Sequence, residues 1–213
     1  MAREKIVWLA TNTCAGDTNS FLNTYNPDYR QIVEEFLDLC YQDFVMAAEG
    51  DVASGILQDF ATGPAGSFIL VVEGSIPTAA GGLYCVLGYR NGQPWTAVDA
   101  VRELAIKARY MVAVGTCASF GGPYGAYPNP TGSKPVREII SRRVINVPGC
   151  PVHPDWIVGT LYHLARYGEP RLDEYNRPVL YFGETVHDRC ERRHYFESGI
   201  FASKPGEPWC MYK

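Results

Sequence analysis

Apolar residues fall into short blocks set between longer amphipathic stretches. Lys5–Ala10 (KIVWLA), Phe68–Glu73 (FILVVE), Met111–Val114 and Val144–Val147 read as buried strands. Asp28–Val45 reads as an amphipathic helix with Val33, Phe36, Leu37, Cys40 and Phe44 on one face. Thr96–Tyr110 reads as a second, with Val101, Leu104, Ala105 and Ala108 inward, and Asp155–Arg166 as a third. Short apolar strands alternating with helices predict an α/β fold, a parallel sheet covered on both faces. Beyond about Pro170 the periodicity weakens, and Arg, His, Glu and aromatic residues dominate (HDRCERRHYFESGIF). The expected organisation is one domain over residues 1–170 and an irregular appendage over 171–213.

Composition narrows the function classes. The 213 residues are 46% hydrophobic and 20% charged, which excludes wholesale disorder. The net charge is −4 without a Lys/Arg run, so nucleic acid is not an expected partner. No apolar run is long enough to span a bilayer. The first residues, MAREKIVWLA, pass from charge straight into a strand, with neither a secretory pattern nor a twin-Arg pair. A cytoplasmic location is expected, with any membrane association made through partners. Seven cysteines suit a disulfide framework poorly; in a reducing compartment they are metal ligands, catalytic groups or small buried hydrophobes.

Four segments follow the strands: Thr11–Asp17 (TNTCAGD), Glu73–Pro77 (EGSIP), Gly115–Gly122 (GTCASFGG) and Pro148–Pro154 (PGCPVHP). In a doubly wound sheet the carboxyl ends of the strands share one ligand-binding edge, so Cys14, Cys117 and Cys150 are expected to converge there. Nearby Gly and Pro let the backbone approach a bulky object. Three thiolates suit a soft metal centre, and iron–sulfur clusters are held mainly by Cys. Position 17, where a fourth thiolate would stand, is Asp. Asp17 is read as an oxygen ligand in that place, with N-capping of the next turn or a three-iron cluster as the alternatives. Cys40 and Cys85 read as structural. His187-x-x-Cys190 with Cys210 forms a second constellation, compatible with mixed-ligand zinc but one donor short of a closed site.

Several motifs then occur together and in order: WLATNTCAGDTNSFL, VVEGSIPT, GTCASFGGPYGAYPNPTG, NVPGCPVHPDW, HDRCERR followed by FESGIF, and CMY. With them the chain resembles the small, electron-transferring subunit of nickel–iron hydrogenases from Trp8 to Tyr212. The resemblance implies a flavodoxin-like domain holding a proximal 4Fe–4S cluster through Cys14, Cys117, Cys150 and the residue at 17, where the family usually has Cys. It implies that His187, Cys190 and Cys210 hold a distal 4Fe–4S cluster whose fourth ligand lies beyond Lys213, with a medial cluster further on. Residues 171–213 would then be the truncated start of an iron–sulfur cluster domain. Oxygen-tolerant members carry two extra cysteines, at places matched here by Gly16 and Gly122. The proximal Asp resembles the actinobacterial-type enzymes that oxidise traces of hydrogen.

By this resemblance the nickel–iron site lies on a large partner subunit, and higher oligomers of the heterodimer are expected. This chain would relay electrons from hydrogen oxidation to an acceptor. Alternatives are a complex I-like iron–sulfur subunit, against which the missing Cys-Cys pair counts, and the short small subunit of a soluble NAD-linked hydrogenase. A non-catalytic protein with structural zinc at His187, Cys190 and Cys210 is a reading from another class. Glu73, on the same loop edge, is either part of a proton path or a strand-closing residue with a structural hydrogen bond. Arg189, Arg192 and Arg193 either bond cluster or partner, or form a solvated face.

Overall fold

The computed structural model describes residues 3–212. In chain order the elements are β1 (Glu4–Ala10), α1 (Gly16–Leu22), α2 (Tyr29–Gln31), β2 (Leu37–Gln42), α3 (Gly50–Thr62), β3 (Ile69–Glu73), β4 (Val86–Arg90), β5 (Gln93–Thr96), α4 (Ala97–Lys107), β6 (Tyr110–Val114), α5 (Gly115–Phe120), α6 (Gly122–Gly125), β7 (Ile145–Val147), α7 (Pro154–Tyr167), α8 (Val179–Phe182) and α9 (Arg193–Glu197). Among the described residues a parallel sheet runs in the order β2-β1-β3-β6-β7, and β4 and β5 form a separate antiparallel hairpin. The sheet order reverses direction at β1, as in a flavodoxin-like doubly wound fold, so the expected α/β class is the one observed.

The strands alternate their side chains between two cores, because successive residues point to opposite faces. Ile6 and Trp8 of β1 join Ile69, Val71, Val112 and Val114 against Phe21 of α1 and Ile157, Leu161 and Leu164 of α7. Val7 and Leu9 join Leu70, Val72, Met111 and Ala113 against Leu57 of α3 and Val101, Leu104 and Ala105 of α4. Both faces of β3, β6 and β7, and of β1 from Ile6 on, are therefore dry, which is why these strands read as continuous apolar runs.

One stretch departs from its sequence pattern. The amphipathic helix expected over Asp28–Val45 forms only at its start: Asp28 caps α2 through a capping box with Gln31, a π-helical turn follows over Ile32–Phe36, and Leu37 begins β2. Parallel pairing of Leu37–Gln42 with β1 overrides the helical period, and the expected face is split, with Leu37 buried and Phe44 exposed. Two features had no counterpart in the reading of the sequence, α3 and the β4–β5 hairpin turning at Asn91–Gly92. Beyond Tyr167 the chain stays against the domain through Trp156, whose ring meets Tyr181 at 6.1 Å and Phe182 at 5.0 Å.

Leu57 is the fully buried apolar anchor of α3. Leu57→Ala is expected to lower unfolding stability by about 2–5 kcal/mol, read from denaturant or thermal unfolding; a change below about 1 kcal/mol would place α3 outside the core.

Candidate metal centre

Register fixes the floor of the site. Ala10 pairs with Glu73, Glu73 with Val114, and Val114 with Val147, so the last residues of β1, β3, β6 and β7 lie in one row. Four loops therefore leave the sheet at the same level. Thr11 ties the first to the second, its N–H donating to Glu73 O at 2.8 Å and its hydroxyl to Ser75 O at 3.0 Å. Thr116 ties the third to the fourth, its N–H donating to Gly149 O at 2.8 Å.

Cys14, Cys117 and Cys150 reach this edge as free thiols, Cys14 and Cys150 exposed and Cys117 half-buried. The Cys117 thiol is pushed up from its ordinary range by burial, then by the neighbouring charges of Cys150, Asp17, Cys14 and Glu73. The structure thus brings Cys14, Cys150 and Asp17 within electrostatic reach of Cys117. None of the ion pairs among the described residues involves these groups. A desolvated thiol beside other acidic groups is an environment that a bound cationic centre relieves.

The backbone passes close against these groups because the positions that touch them are glycine. A Cβ at Gly16 would stand 3.2 Å from Cys14 Sγ, and one at Gly122 would overlap Cys117 Sγ. A Cβ at Gly115 would overlap Asp17 Oδ2. Glycines pressed against the donor atoms make a cradle that fits a bulky cluster. Among the described residues no three or more His, Cys, Asp or Glu donors gather tightly enough for a single metal ion. A cubane cluster makes a different demand, since each of its irons takes its own ligand. The donor set, mainly sulfur, fits iron–sulfur chemistry.

Asp17 does not act as an N-cap. The cap of α1 is Ala15, which makes no side-chain cap bond, and Asp17 lies inside the helix. Its Oδ1 accepts from Val152 N–H at 2.8 Å, joining the first loop to the fourth, while Oδ2 lies over Gly115. Burial pushes its carboxyl up to about 6, opposed by the Val152 N–H and reinforced by Glu73. Glu73 is fully buried and accepts four hydrogen bonds. The sequence had pointed to neither the Thr13 and Thr18 hydroxyls that serve it nor the Val152 amide. The clue at hand was the pair of threonines flanking Cys14 and Asp17 in TNTCAGDT.

The second constellation is looser. Cys190 N–H donates to His187 O at 3.2 Å, and the His187 ring meets Phe196 at 4.6 Å. Phe196 contacts Phe201, which bridges to the buried Cys210. The three residues share an aromatic cluster but are not gathered into a coordination group. Arg189 pairs with Glu184, and Arg193 pairs with Asp188 and Glu197, all on the exposed surface, which matches a solvated face. Cys40, placed on β2 rather than a helix, and Cys85 are half-buried, and burial pushes each thiol up to about 11. That is the behaviour of inert structural cysteines.

Comparison with known proteins follows the same lines. Residues 14–164 match the family described as NADH ubiquinone oxidoreductase, 20 Kd subunit, and residues 182–213 match the family described as the C-terminal part of the NiFe/NiFeSe hydrogenase small subunit. The chain is 36% identical to the periplasmic NiFe hydrogenase small subunit 1 of Nitratidesulfovibrio vulgaris, covering 99% of this chain and 68% of that one. Its fold matches the NiFeSe hydrogenase of Desulfovibrio vulgaris Hildenborough with a TM-score of 0.90 and 32% identity, over 100% of this chain and 81% of that one. The actinobacterial-type NiFe-hydrogenase of Ralstonia eutropha H16 matches with a TM-score of 0.82 and 31% identity, over 98% of this chain and 68% of that one. These relatives correct one expectation. The cytoplasmic location is not supported, since the matching relative is periplasmic by name.

Gly122 has φ +57 and a Cβ there would overlap Cys117 Sγ, whereas a Cβ at Gly16 would stand tight against Cys14 Sγ at 3.2 Å. Gly122→Ala is expected to lower iron and acid-labile sulfide per chain markedly, and Gly16→Ala to lower both less. Equal loading in the two variants would refute the cradle.

Proposed function

The chain belongs to the nickel–iron hydrogenase small-subunit family, and on that premise we propose that it relays electrons from hydrogen oxidation on a large partner subunit. The observation that carries this reading is the convergence of Cys14, Cys117, Cys150 and Asp17 at the level ends of the parallel strands. When bound there, an iron–sulfur cluster supplies one-electron transfer. Cys14, Cys117 and Cys150 would hold it through sulfur and Asp17 through oxygen. Of the Asp17 oxygens, Oδ1 is occupied by the Val152 N–H, which orients the carboxylate and leaves Oδ2 for iron. His187, Cys190 and Cys210 are the proposed donors of a second cluster, completed by a donor from outside these residues.

The partner surface is the same edge. Phe120, Tyr124 and Tyr127, in the segment that follows Cys117 in the chain, stand exposed, with Tyr127 at 98% of its full exposure. Aromatic residues are enriched at the centres of interfaces, and these follow directly on one of the proposed cluster donors. The finer reading is an uptake enzyme of the actinobacterial type. It is supported by Asp17 at the usual Cys position and by the likeness to the Ralstonia eutropha enzyme.

Purification without oxygen is expected to yield a brown complex containing iron, acid-labile sulfide and a large subunit; a colourless, zinc-loaded or cluster-loaded monomeric chain would refute the reading. Asp17→Asn tests the ligand. The amide oxygen can still accept from Val152 N–H, so a merely structural Asp17 would tolerate the change. Ligation predicts an altered electron paramagnetic resonance spectrum in the reduced protein, and Asp17→Cys a retained cluster with a shifted potential. An Asp17→Asn spectrum matching wild type would eliminate the carboxylate as ligand.

A further inference from the structure

Glu73 carries more hydrogen bonds than a strand-closing residue needs. It is 0% exposed at the end of β3. Its Oε2 accepts from Trp8 Nε1–H at 3.1 Å and from the Thr18 hydroxyl. Its Oε1 accepts from Asp17 N–H at 3.2 Å and from the Thr13 hydroxyl at 3.0 Å. Three of these four donors belong to the segment Thr13–Thr18, which contains both Cys14 and Asp17.

The direction of each bond is fixed. An indole N–H and a backbone N–H can only donate. The Thr13 hydroxyl accepts from Ala15 N–H at 3.1 Å, and the Thr18 hydroxyl accepts from Gln42 Nε2 at 2.8 Å. Each hydroxyl oxygen is engaged from elsewhere, so its proton points to Glu73. Both carboxylate oxygens therefore face one obligate N–H and one committed O–H. An amide cannot replace this group, because in either orientation its NH2 meets an N–H that cannot turn away.

We propose that Glu73 is the positioning residue of the first ligand loop, holding Cys14 and Asp17 in register with Cys117 and Cys150 through its four acceptor contacts. The proposal rests on the functional reading above for the identity of the group being positioned; the anchoring itself rests on the hydrogen bonds alone. Asp17 is then held at both ends, its N–H by Glu73 and its Oδ1 by Val152 N–H. The loop is tied to β3 on one side and to the Pro148–Pro154 loop on the other.

The test compares Glu73→Gln, Thr13→Val and Leu57→Ala in the assembled hydrogenase prepared without oxygen. Thr13→Val removes the Thr13 bond to Glu73 together with the one from Ala15 N–H. Leu57→Ala opens the apolar layer on the other face of the sheet from Trp8, so it reports what general loosening of the core does. Amide exchange in peptides covering residues 13–18 is expected to rise about tenfold or more in Glu73→Gln, the loss of bonds to a carboxylate acceptor, and to rise less in Thr13→Val. The electron paramagnetic resonance spectrum and midpoint potential should shift in the same order. Leu57→Ala should lower the melting temperature and leave the spectrum and potential where they are in wild type. Wild-type exchange and spectrum in Glu73→Gln would overturn the proposal, and so would a Leu57→Ala spectrum shifted as far as that of Glu73→Gln. If Glu73→Gln fails to assemble, Thr13→Val decides, and unchanged exchange and spectrum there overturn it. Wild-type protein without iron and sulfide would instead refute the functional reading, while the exchange data would still judge the anchor.

Discussion

The row formed by Ala10, Glu73, Val114 and Val147 governs everything above it. Parallel strands in register end level, and level ends launch four loops from one height. Donors at 14, 17, 117 and 150 can meet only because of that row. The row is in turn fixed by the cores on either side. Strand side chains alternate between two apolar layers, and a slip of one residue would turn Trp8 and Val71 toward the opposite layer. Apolar packing on both faces of the sheet thus sets the position of the sulfurs at its edge.

Above the row the site gathers groups that resist being gathered. Thiols at Cys14, Cys117 and Cys150 lie near the carboxylates of Asp17 and Glu73, and the burial of Cys117 and Asp17 makes their charged forms more costly. Hydrogen bonds compensate for the carboxylates. Glu73 collects four donors, and Asp17 takes Val152 N–H on one oxygen. The sulfurs have no such compensation among the hydrogen bonds observed, and glycine backbone lies close against two of them. Uncompensated sulfurs beside hydrogen-bonded carboxylates fit the affinity of thiolates for soft metals.

Legibility in the sequence followed how strongly each segment depends on its own residues. β1, β3, β6, β7, α4 and α7 were plain because strands buried on both faces are apolar throughout and the two helices keep a 3.6-residue period. Leu37–Gln42 was not, since its helical period is outvoted by pairing with β1, a contact more than thirty residues distant. α3 was missed because Gly50 and Gly55 dilute its pattern and Leu57 is its only fully buried apolar residue. At the site, the cysteines could be placed from their loops alone. The two bonds that hold Asp17 could not, because they join residues 56 and 135 positions away.

The region from Gly183 onward obeys a different rule from the sheet domain. Its interior contacts are aromatic: Tyr195 meets Trp209 at 5.1 Å, and Phe196 meets Tyr212 at 5.4 Å. Its helix α9 has no buried residue, and Val186 is 91% exposed. A few ring contacts with little aliphatic burial give a region weak self-sufficiency, since most of the stabilisation of a fold comes from apolar area removed from water. Such a region gains order from what binds it. A metal centre joined to His187, Cys190 and Cys210 would link the start and end of this segment. It would do by coordination what the two apolar layers do for the sheet, because binding energy at a site assembled from distant residues is also folding energy.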